Sequence, residues 1–111
     1  MANHVPDRVL ERIDAFGEGL LYGDPPDVAG ELRTDLRVRI RATGDRTATC
    51  VYLTEHTRAP TTLRGRGSFV TTIVDAVDER LRTWGVEPPP AYRYVDTRDG
   101  THRYEGELRL P

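Results

Sequence analysis

Lysine is absent from this chain. All sixteen basic residues among its 111 are arginine. That removes the phosphate-gripping lysine of a P-loop and leaves only guanidinium groups, which bind phosphate through two parallel hydrogen bonds and stack on bases. Cysteine is nearly absent too. Cys50 stands alone, which excludes an internal disulfide and fits a reducing compartment. With only His4, His56 and His102 scattered beside it, no spacing suits the three or four ligands zinc needs. No metal or cofactor is therefore expected. No apolar run reaches eighteen residues, and Met1-Ala2-Asn3-His4 leads straight into a polar, amphipathic segment. The expectation is a cytoplasmic protein with no signal peptide and no membrane partner. No carboxylate pair sits beside a histidine in a motif, and there is no nucleophile elbow or Walker loop. A non-enzymatic role is expected.

What is present has the composition of an ordinary globular chain, 37% hydrophobic and 31% charged, and fits a single domain over residues 1–111. The net charge of −2 argues against a general nucleic-acid glue. Its distribution is uneven, however. Residues 33–66 carry eight arginines against three acids, and the remainder carry eight against fifteen. A basic middle flanked by acidic ends is implied.

The basic middle is built on Leu36-Arg37-Val38-Arg39-Ile40-Arg41. Strict alternation predicts a strand, because successive side chains point to opposite faces. Leu36, Val38 and Ile40 then face a core while Arg37, Arg39 and Arg41 line up on the other side. Such a row is either the solvated outer face of an antiparallel sheet or a phosphate-binding face. The strand is expected over about 32–43, after a helix at 5–16 ended by Gly17 and Gly19 and a Pro/Gly-rich loop at 23–30. Thr47–Thr54, apolar on both faces, reads as a central strand with Cys50 as a small buried hydrophobe. Thr61–Arg66 reads as a third short strand with Arg64 and Arg66 on one side.

Ser68 suits the N-cap of a helix over 69–84. Its apolar stripe is Val70, Ile73, Val77, Leu81 and Trp84, and its solvated side Asp75, Asp78, Glu79 and Arg82. Gly85 and Pro88-Pro89-Pro90 end it. Asp99-Gly100 then predicts a hairpin turn. Counting back from it sets Asp96 opposite Arg103 and Val95 opposite Tyr104. The order α-β-β-β-α-β-β predicts an α+β two-layer sandwich, with helices on one face of an antiparallel sheet and a C-terminal hairpin over 91–110. Gly65-Arg66-Gly67-Ser68 before a helix has the outline of a phosphate cradle, but it is short and lacks the lysine of a P-loop, and a plain strand-to-helix turn is the preferred reading.

Two resemblances follow from this layout. Leu36 to Ile40, Ala48 to Leu53, Leu63-Arg64 and Ile73 to Leu81 together resemble the ribosome hibernation-promoting and ribosome-associated inhibitor proteins, closest in residues over Asp75 to Leu81. That resemblance implies a domain whose basic sheet and helix residues lie against small-subunit ribosomal RNA and block the messenger and transfer RNA sites. The family's first strand precedes its first helix, and its helices are basic where Asp75, Asp78 and Glu79 make this one acidic. Leu63 to Asp75 also resembles the strand-to-helix turn of Alba-type nucleic-acid-binding proteins.

Two functional expectations result. The first is an RNA-associated protein acting at the ribosome under stress, with Arg37, Arg39, Arg41, Arg64 and Arg66 pairing with phosphates. The second is a protein-interaction or accessory module, a homodimer or partner-binding protein, using Tyr92, Tyr94 and Tyr104 of the hairpin, since tyrosine is enriched in interfaces and an edge strand invites pairing. A small-molecule enzyme using a sandwich pocket would need a catalytic set that the sequence does not display.

Overall fold

A computed structural model describes residues 5–22, 27–55 and 69–110. Two helices and five strands follow one another as α1 (Asp7–Tyr22), β1 (Asp27–Arg33), β2 (Leu36–Ala42), β3 (Thr47–Thr54), α2 (Phe69–Thr83), β4 (Arg93–Arg98) and β5 (Thr101–Arg109). The strands form one antiparallel sheet in the order β1-β2-β3-β5-β4. This is the expected α-β-β-β-α-β-β sandwich, reached with a different set of strands. Asp27–Arg33, half of it assigned to a loop from its glycine and prolines, is an edge strand. Gly30 stands in it close against the ring of Phe16. The expected strand at Thr61–Arg66 lies outside the described residues.

Alternation on β2 and β3 divides the sheet into two faces. Leu36, Val38, Ile40, Ala48, Cys50, Tyr52, Tyr104 and Leu108 are buried with Val9, Ile13, Phe16 and Leu20 of α1 and Ile73, Val74, Val77 and Leu81 of α2. Each fully buried Leu or Ile contributes about 1.5–3 kcal/mol over leaving it in water. Cys50 is buried as a small hydrophobe. β3 is the middle strand, as its double-sided apolar pattern predicted.

α1 does not stop at its glycines. It runs on to Tyr22, because the helices pack there and leave no room for a side chain. A Cβ on Gly17 would come within 1.9 Å of the Trp84 indole. Trp84 therefore plugs the end of α2 against α1. Gly85, with φ 79°, ends α2 as expected. Asp99 and Gly100, with φ 51° and 79°, form the tight turn that matches strand twist. Asp96 lies opposite Arg103, but Tyr94 rather than Val95 lies opposite Tyr104. The register shift between Tyr94 and Asp96 bulges the edge strand at Val95, which no residue type announces.

Candidate interaction face

The helices cover one face of the sheet, and among the described residues no element covers the other, the open face. Arg37, Arg39 and Arg41 stand on it in a row, all exposed. Across the sheet their partners on β3 are Leu53, Val51 and Thr49, all half-buried. Beyond these, β5 presents Arg103, Glu105 and Glu107 in the same three rows. The open face thus runs from an all-arginine strand, over a neutral strip, to a strand with two glutamates at its middle.

Acids also flank the arginine row on its other side. Asp27, Ala29 and Glu31 of β1 lie opposite Arg41, Arg39 and Arg37. Arg39 grips Asp27 with both arms of its fork, Nε donating to Oδ1 and Nη2 to Oδ2, each at 3.0 Å. That hydrogen bonding holds the Asp27 carboxyl below its ordinary value, opposed by desolvation and aided by the charges of Arg39 and Arg41. It raises Arg39 in turn. On the far side Arg103 donates to Glu105 at 3.1 Å, and Arg93 lies 3.9 Å from the same carboxylate. Arg37, Arg41, Glu31 and Glu107 make no salt bridge among the described residues.

Of the five arginines expected to bind phosphate, the structure brings Arg37, Arg39 and Arg41 together. Arg64 and Arg66 lie outside the described residues, as do Ser68 and His56. No family model, curated protein or solved structure matches the chain. Its functional reading therefore rests on this geometry.

The tyrosine patch needs correction. Tyr92 and Tyr104 are core residues, 6% and 0% exposed, because β5 lies inside the sheet and Tyr92 turns in beneath α2. Tyr92 stacks edge-on against Tyr52 with ring centroids 5.1 Å apart and donates a hydrogen bond to Asp78. Asp78, read from helical spacing as solvated, is buried. Only Tyr94 remains at the surface, 43% exposed. Its hydroxyl bonds Thr97 Oγ1, which lies 2.7 Å from Nδ1 of the buried His102. This hydrogen-bonded chain along the edge strand gives Nδ1 of His102 its partner. Among the described residues no group of His, Cys, Asp and Glu could hold a metal, and no helix is long and apolar enough to cross a membrane.

Proposed function

We propose that this protein is an interaction module that docks a protein partner on its open sheet face. One observation carries the reading: both signs of charge stand on each side of the neutral strip Thr49, Val51 and Leu53, with Asp27 and Glu31 beside the arginine row and Arg103 and Arg93 beside Glu105 and Glu107. A surface evolved for a polyanion gains from net positive potential over the whole contact. Here Asp27, Glu31, Glu105 and Glu107 share the face with the arginines, and each would meet a phosphate backbone with repulsion. A protein partner answers both signs at once, which favours correct pairing and rejects partners of a single charge. A photoreactive residue in place of Val51 tests the reading in cells. A crosslinked protein adduct is expected; adducts to RNA alone, or none, overturn it.

A second reading keeps the RNA-associated, ribosome-directed role, and one observation favours it. Arg37 and Arg41 project from the two rows that flank Arg39, without a salt bridge among the described residues. Recovery of ribosomal subunits at low and moderate salt distinguishes the two, since each lost phosphate contact lowers the salt slope by about one unit. Equal recovery with an Arg37/Arg39/Arg41→Gln variant removes this reading.

A further inference from the structure

We infer that the partner seated on the open face is a second copy of this chain, related by a two-fold axis running along β3; the inference rests on the docking reading above. Rotation about that axis exchanges the two flanks of the neutral strip. It lays β2 of one protomer over β5 of its partner. Arg41 then crosses Glu107 and Arg39 crosses Glu105, because Arg41, Thr49 and Glu107 share one row of the register and Arg39, Val51 and Glu105 the next. An isologous interface makes every such contact twice. Val51, near the centre, meets its own copy, with Thr49 and Leu53 extending the strip.

The third row carries two like-charge crossings. In one, Glu31 of one copy comes over Asp96 of the other, whose carboxylate already lies 3.3 Å from Arg98. The second brings Arg37 over Arg103, whose guanidinium is already held by Glu105 at 3.0 Å. On the rim, Arg93 of one copy passes over the small Ala29 of the other. There a shallow hollow is lined by Ala29, Gly30, Glu31, Arg37 and Leu53, and Glu31 offers that guanidinium a carboxylate. Two aligned sheets pack about 10 Å apart with side chains from both faces between them, a gap that long Arg and Glu side chains span. Molecular extents of 35 × 30 × 23 Å give the face room for the roughly 800 Å² per partner that a standard interface buries. The opposite-charge crossings of the first two rows and the self-contact of Val51 need nothing beyond the chain itself, which commits the inference to a second copy.

Sedimentation equilibrium of the purified full chain is the test, run from micromolar to several hundred micromolar at low and moderate salt. A species of twice the 12.5 kDa chain mass is expected, weakening as salt rises. Arg41→Glu and Glu107→Arg each set like charges across the interface twice, and each is expected to weaken self-association at least tenfold. Neither residue makes a salt bridge within the described chain, so thermal unfolding of both variants should match the parent at concentrations where all three are monomeric. Mixed in equal amounts, the two variants restore opposite charges at both crossings, and a heterodimer of parental strength is expected. A monomer at every concentration, a dimer indifferent to either reversal, or a mixture that fails to associate overturns the inference. If the purified chain is monomeric while the Val51 crosslink in cells captures a protein of different mass, the second-copy inference falls and the docking reading stands. A monomer with no protein adduct removes both.

Discussion

The phenol of Tyr92 donates a 2.8 Å hydrogen bond to the buried carboxylate of Asp78, joining the chain before β4 to the middle of α2. Each hydrogen bond to a buried carboxylate offsets part of its desolvation cost, and this one is lost without the phenol. Tyr92→Phe keeps the ring against Tyr52 and removes only the donor. It is expected to lower unfolding free energy by about 1–3 kcal/mol in urea titrations.

Tyr52 gives the opposite sign. Its hydroxyl is buried with no hydrogen-bond partner among the described residues. Tyr52→Phe deletes a desolvated polar group while keeping the ring, and is expected to leave stability unchanged or raise it by up to about 1 kcal/mol. A loss of stability as large as that of Tyr92→Phe would show that the hydroxyl is bonded in solution.

Gly17→Ala should destabilise the protein even though alanine favours a helix by about 1 kcal/mol over glycine. The new methyl would overlap the Trp84 indole, whose Cη2, Cζ2 and Cζ3 lie within 2.4 Å of the Cβ position. The ring must move, and overpacking of this kind costs about 1–3 kcal/mol. Trp84 is the only tryptophan, so a red shift of its fluorescence should accompany the lower urea midpoint.

Gly100→Ala isolates backbone strain from packing. Nothing lies within 4 Å of a Cβ there, but φ is 79°. The expected cost is about 1 kcal/mol, from the left-handed conformation alone, with no change in the core fluorescence that Gly17→Ala disturbs.

Stability should fall on the alkaline side. Burial raises the Tyr104 hydroxyl from its ordinary 10.0 to about 12, with the Tyr94 charge adding to it, and burial also holds the Tyr52 hydroxyl well above its ordinary value. Both are acids kept neutral in the fold. Below pH 10 the folded and unfolded chains hold the same phenolic protons. Above it the unfolded chain sheds them first, so it binds fewer protons and unfolding is favoured. Tyrosinate absorbance should therefore rise together with loss of the folded far-ultraviolet signal between about pH 10 and 12. Ionisation of Tyr104 near pH 10 in a chain still folded would contradict it.

Local patterns determined much of this protein. The alternation from Leu36 to Arg41 put three arginines on an outer face and three aliphatic residues inside, since a strand has a strict period of two. Asp99-Gly100 set the hairpin because few residue pairs accept positive φ twice. The stripe from Val70 to Leu81 placed α2, because apolar spacing of three and four residues can only be buried along one side of a helix.

Tertiary structure decided what the neighbours were. β1 was hidden because an edge strand with Gly30 pressed on Phe16 has the composition of a loop, and α1 passed its glycines because Trp84, far along the chain, needed the space. Asp78 and Tyr92 left the surface for each other, a pairing fourteen residues apart with no local signature. The meaning of the arginine row changed in the same way. Whether guanidinium groups on one strand face a phosphate or a carboxylate depends on which strands lie beside them. That order, with β5 inserted between β3 and β4, is set by the packing of the whole sheet.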